Sequence, residues 1–138
     1  MTIIILGSAV DVRTGTPGVY AQMTMPEYLT IVGTKFEDFH LQRRREKHKA
    51  YGRLEADIRD GALLPSITLA VKLERVADIM PFYDDYRTDP KRAGPLAAAL
   101  NTPGTVDILD GLQRTYIMRD LAERGETFKP DQRILVEF

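Results

Sequence analysis

The chain has 138 residues, 28% charged and 43% hydrophobic, with 19 basic and 20 acidic side chains giving a net charge of −1. That length suits one compact domain covering residues 1–138 and is too short for two, and the near-neutral balance excludes a global pull toward nucleic acid or membrane. Without cysteine there is no disulfide framework and no thiolate metal site.

The N-terminal "MTIIILGSAV" has no basic lead, and its apolar run is too short for a signal peptide or a membrane span. A cytoplasmic protein is therefore expected. Ile3, Ile4, Ile5 and Leu6 read as a short buried strand stopped by Gly7 and Ser8. "DVRTGTPGVYAQMTM" is rich in turn formers and reads as a loop leading into a strand near Val19 to Met23. In "MPEYLTIVG", Pro26 marks either a helix start or a strand break, and residues 29–32 suit either a short helix or a strand.

From Phe36 to Asp60 the pattern is helical and strongly charged. "LQRRREKHK" gathers Arg43, Arg44, Arg45, Lys47 and Lys49 around Glu46. This is either a patch for the phosphate backbone of DNA or RNA, or a solvated helix face. His40 and His48 stand eight apart, which is no zinc spacing. In "AYGRLEADIRDG" the apolar Leu54, Ile58 and Ala62 recur every fourth residue, and Gly61 is a good C-terminal stop.

"LLPSITLAVKL" alternates Ile67, Leu69 and Val71 against Thr68, Ala70 and Lys72, a strand with one buried face. "DIMPFYDDYRTDPKRAGP", punctuated by Pro81, Pro90 and Pro95, reads as a polar loop whose acids lack calcium-loop spacing. "PLAAALN" starts a short helix at Pro95. Residues 106–109 read as a strand, 112–124 as a helix closed by Gly125, and "RILVEF" as a final strand. The order of elements predicts an α+β fold. An open edge on that last strand, with Ile134 and Val136 alternating, predicts association with a second copy or a partner protein.

The stretch with most chemistry is "VDILDGLQRTYIMRDLAERGE". A helix N-terminus carries unpartnered N–H groups and partial positive charge, to which phosphate is a natural ligand. Gly111 permits close backbone approach, and Arg114 offers a planar fork of donors matched to phosphate oxygens. Gln113 suits a neutral donor or a water-orienting amide. Asp110 suits either an N-cap or a ligand to a Mg²⁺ that accompanies a nucleotide. The same residues also suit an ordinary helix start with a surface arginine.

Upstream, "YGRLEADIRDGALLPSITLAVK" places Tyr51 and Arg53 at a helix start and Pro65 before a strand. Together with "ILDGLQR", the chain resembles the ParB/sulfiredoxin-like superfamily, in its DGQHR branch of DNA-modification proteins and related NTPase domains. The match covers roughly residues 50 to 125. It implies a ParB/sulfiredoxin-like domain, in a minimal or truncated version, acting in bacterial or phage DNA modification or restriction. It implies nucleoside triphosphate with Mg²⁺ as ligand and DNA as a further partner. Tyr51, Arg53, Gly111 and Arg114 would hold the phosphates, and Asp110, Gln113 and Arg114 would serve a weak hydrolytic activity. Gly52 and Leu112 stand where the family has polar glutamines, so the resemblance implies binding more than turnover. A non-catalytic DNA-binding or regulatory module, or an assembly subunit, is the other reading.

Overall fold

The computed structural model describes residues 3–33, 49–125, 128, 129 and 132–138, residues 49–51 by their backbone alone. Five strands and five α-helices follow along them in the order β-β-α-α-β-α-α-β-α-β. The strands are β1 (Ile4–Asp11), β2 (Thr16–Met23), β3 (Ile67–Val71), β4 (Val106–Asp110) and β5 (Ile134–Glu137). The helices are α1 (Met25–Val32), α2 (Lys49–Asp60), α3 (Leu73–Thr88), α4 (Ala93–Leu100) and α5 (Leu112–Glu123), with a 3₁₀ turn at Pro90–Arg92. The α+β class is as expected. No described helix is long and apolar enough to cross a membrane.

The first segment departs from its reading as a strand and a loop. β1 runs through Gly7 with a register shift between Ile5 and Gly7, and pairs antiparallel with β2 from Thr16 to Gln22. The turn between them is organised by Asp11, whose carbonyl accepts from Thr14 and Gly15 and whose carboxylate accepts from the Arg13 N–H. Glycine at position 15 supplies the φ of +75° that closes the hairpin. The ambiguous segment after β2 is helical. Thr24 and Glu27 form a reciprocal capping box, with Pro26 in the first turn where its missing N–H costs nothing.

The strand order is β1-β2-β5-β3-β4, with only the β3–β5 pair parallel. β5 is therefore central, antiparallel to β2 and parallel to β3. The expected open edge on the last strand is corrected by this topology: β5 pairs with β2 along its length and with β3 at Val136 and Glu137. The sheet edges are β1 and the short β4, where Asp107 and Asp110 place charge.

Buried residues alternate along the strands: Val19, Ala21 and Met23; Ile67 and Leu69; Ile134 and Val136. Register pairs Ala21 with Val136 and Val136 with Ile67, so these side chains share one face. That face carries both hydrophobic clusters. The larger includes Met25, Tyr28 and Ile31 of α1, Ile58 of α2, and Ile117, Met118 and Leu121 of α5. The smaller joins Val19 to Ile79, Tyr83 and Tyr86 of α3 and Leu96 and Leu100 of α4. On the other face Tyr20 is exposed and Thr68 and Leu135 are half-buried.

The proline-punctuated segment from Asp78 onward is the second correction. α3 continues through Pro81 to Thr88. A mid-helix proline costs about 3 kcal/mol, but Val76, Ile79, Met80, Tyr83 and Tyr86 recur at helical spacing. Burying three of them (Ile79, Tyr83 and Tyr86) returns about 1.5–3 kcal/mol for each side chain. The apolar stripe wins.

Candidate functional site

β4 delivers the chain to Gly111, which caps α5 with φ +105° and ψ 15°. A Cβ there would lie 2.9 Å from Ile67 Cγ1 and 3.1 Å from Cγ2. Glycine is required twice over, by its left-handed backbone and by the packing of β3 against the turn. Asp110 ends β4 and is not the N-cap, and no side chain caps this helix.

Arg114, in the first turn, has only 13% of its side chain exposed. Its guanidinium donates to the carbonyl of Pro65 and, at 3.4 Å, to that of Ser66. Nη2 also lies 3.7 Å from the Asp110 carboxylate, whose side chain is 75% exposed. The fork is thus turned inward onto the connector that enters β3. The same connector is held from its other end by Gln132, which donates to the Ala62 carbonyl at 3.0 Å. Gln113 is half-buried beside Arg114. Asp110, the residue suited to Mg²⁺, stands mostly exposed beside Arg114; among the described residues, no three His, Asp or Glu side chains are grouped for a metal.

The first turn of α5 is also anchored to α1. Thr115 Oγ1 donates to the Gly111 carbonyl at 2.8 Å, leaving the Tyr28 hydroxyl to donate to Thr115 at 2.7 Å. Burial pushes the Tyr28 phenol up to about 12, while the Thr115 hydrogen bond and the Arg114 charge pull the other way. The folded protein keeps this phenol neutral to higher pH than the unfolded chain, whose tyrosine ionises near pH ~10. Its contribution is complete below pH ~10 and is lost as pH rises through ~12, about 2–3 kcal/mol in all. Unfolding free energy measured across that window falls more steeply in the parent protein than in Tyr28→Phe. Parallel curves would contradict this.

Arg53 is exposed on α2. Two residues on, Glu55 accepts from Arg124 at 2.6 Å and from Arg59 at 2.9 Å, and the Arg124 hydrogen bond is the main cause holding its carboxyl below the ordinary value. Arg124 caps the C-terminal end of α5, ten residues and roughly 15 Å of helix from Arg114. Glu55 meets the end of α5 while Pro65 meets its start, so the two segments run antiparallel and Arg53 falls toward the far end. The structure brings together Pro65, Asp110, Gly111, Gln113 and Arg114, and its contacts do not join Arg53 to them. The Tyr51 and Lys49 side chains, and Arg43, Arg44, Arg45 and Lys47 altogether, lie outside the described residues.

A cleft of about 720 Å³ lies elsewhere. Val19 and Phe138 exchange hydrogen bonds at the end of β5. Past them, β2 continues through Thr16–Gly18 paired to β1, and β3 continues to Val71 paired to β4. Between these strands the sheet opens, and the gap is backed by Ile79, Met80 and Tyr83 of α3 and by Leu96 and Leu100 of α4. Residues of both strand faces line it, Val19 and Val71 from one and Tyr20 and Ala70 from the other. Sequence reading missed this site because it took α3 for a loop. The helical spacing from Val76 to Tyr86 was the available signal.

No protein-family model, curated protein or solved structure matches the chain.

Proposed function

We propose that the protein is a non-catalytic regulatory binding module of ParB/sulfiredoxin-like kind, in which the Asp-Gly-Leu-Gln-Arg motif serves the fold and not phosphoryl transfer. One observation carries this reading: the Arg114 donors are turned onto the Pro65 and Ser66 carbonyls and the Asp110 carboxylate, with little of the side chain in solvent. An arginine that stabilises transferred phosphate must present its fork to the ligand. Here that would require breaking the clamp on the connector. Arg53 supports the same reading: it stands two residues from Glu55, which pairs with Arg124 at the other end of α5, and no described contact brings it to Arg114. The setting in DNA modification or restriction rests on the motif resemblance alone.

Incubation with ATP or GTP and Mg²⁺ is expected to release no phosphate above buffer. Turnover that disappears in Arg114→Lys, with the fold retained, would overturn the reading.

A further inference from the structure

The cleft at the end of β5 is apolar in its depth and acidic at its lining. Its floor is Val19, Val71, Ile79, Met80, Leu96 and Leu100, and its volume of about 720 Å³ falls within the usual range of small-ligand pockets. The charged residues that line it are Asp11 and Glu137. They are not equivalent. Asp11 is bound into the hairpin turn and pairs with Arg13 at 3.5 Å. Glu137 has no ion-pair partner among the described residues, and its Oε1 lies 3.5 Å from where a Cβ on Gly18 would stand. The carboxylate thus sits over the bare backbone of β2, beside the opening between β2 and β3. Val10, on the hairpin, lines the same cleft while remaining 48% exposed.

We propose that this cleft binds a cationic amphiphile, its apolar tail between the hairpin and α3–α4 and its ammonium head at Glu137. The complementarity is twofold. Apolar walls reward burial of a tail in proportion to its area, and a carboxylate with no ion-pair partner among the described residues, at the mouth of an apolar cleft, favours one sign of head group. An anionic head of equal length would meet Glu137 with no compensating cation in the lining. The inference stands independently of the role of Arg114.

The test titrates the full chain with decyltrimethylammonium, decanol and decyl sulfate below their micelle concentrations, following ¹H–¹⁵N chemical shifts. Saturable binding of the cationic probe is expected, with shifts at Val19, Val71 and Glu137. Its affinity should exceed that for decyl sulfate by on the order of tenfold or more, the worth of one modest charge interaction. Glu137→Gln should bring the two affinities to within about threefold by removing that term. Val10→Phe, a substitution at a half-exposed position that fills the cleft, should weaken both probes and decanol together. Equal affinity for both head groups in the parent protein would overturn the proposal. So would binding untouched by Val10→Phe, which would place the probe on the open sheet face. Tighter capture of an extended lysine-containing peptide, with new cross-strand contacts to Thr16–Gly18, would replace it with strand addition.

Discussion

Val136→Asp is expected to unfold the protein. Val136 is 1% exposed in the central strand, paired to Ala21 on one side and Ile67 on the other. The substitution removes about 1.5–3 kcal/mol of buried side chain and places a carboxylate in the cluster that holds Met23, Ile67 and Ile117, while no Lys, Arg or His is buried among the described residues. A buried unpaired charge costs several kcal/mol more, enough to exhaust a typical total of about 5–15 kcal/mol. Leu135→Asp, on the half-buried opposite face, should leave a cooperative fold of reduced stability. Far-UV circular dichroism and size-exclusion chromatography separate this from association through the last strand. Under that alternative, Val136→Asp would change the oligomeric mass and leave the secondary structure intact.

What the sequence made legible was local. Ile67 and Leu69 alternate with Thr68 and Ala70, and the helix from Leu112 ends before Gly125, because strand period and helix stop signals are written in neighbouring residues. The placement of β5 is not local. Its alternation of Ile134 and Val136 is the same for an edge as for a centre, and only pairing to two strands from distant parts of the chain distinguishes them. α3 shows propensity overruled: Pro81 argues against a helix within one turn, while the stripe that outweighs it extends over three turns. The first half of the chain hid its hairpin for a related reason, since Gly7 reads as a stop but sits at a register shift inside β1.

The candidate site was legible as a set of residues and illegible in its direction. Asp110, Gly111 and Arg114 do come together, yet nothing in "ILDGLQR" tells whether the arginine faces a ligand or the chain itself. The deciding partner is the backbone of Pro65, 49 residues away, and backbone carbonyls leave no signature in side-chain type. Gly111 carries the same lesson. Its glycine suits a phosphate loop, and it suits equally the 2.9 Å approach of Ile67.

Removing the Arg114 guanidinium is expected to cost about 1–2 kcal/mol, since Pro65 and Ser66 are exposed, water can replace the lost donor at a net loss of about 0.5–1.5 kcal/mol per bond, and some packing of the aliphatic stem goes with it. The Ser66 bond at 3.4 Å is long and contributes least. Arg114→Lys keeps one donor and the charge but not the fork, so it should recover only part of the loss. Asp110→Ala should cost less than either, because its carboxylate is 75% exposed and largely screened.

The most direct measurement is therefore made on Arg114→Ala, comparing its unfolding free energy in denaturant with its affinity for ATP–Mg²⁺ under conditions where it remains folded. A clamp predicts a stability loss of about 1–2 kcal/mol, with whatever nucleotide affinity the parent protein has carried over unchanged. Parent-level stability together with lost nucleotide binding would contradict it, and would return Arg114 to the phosphate.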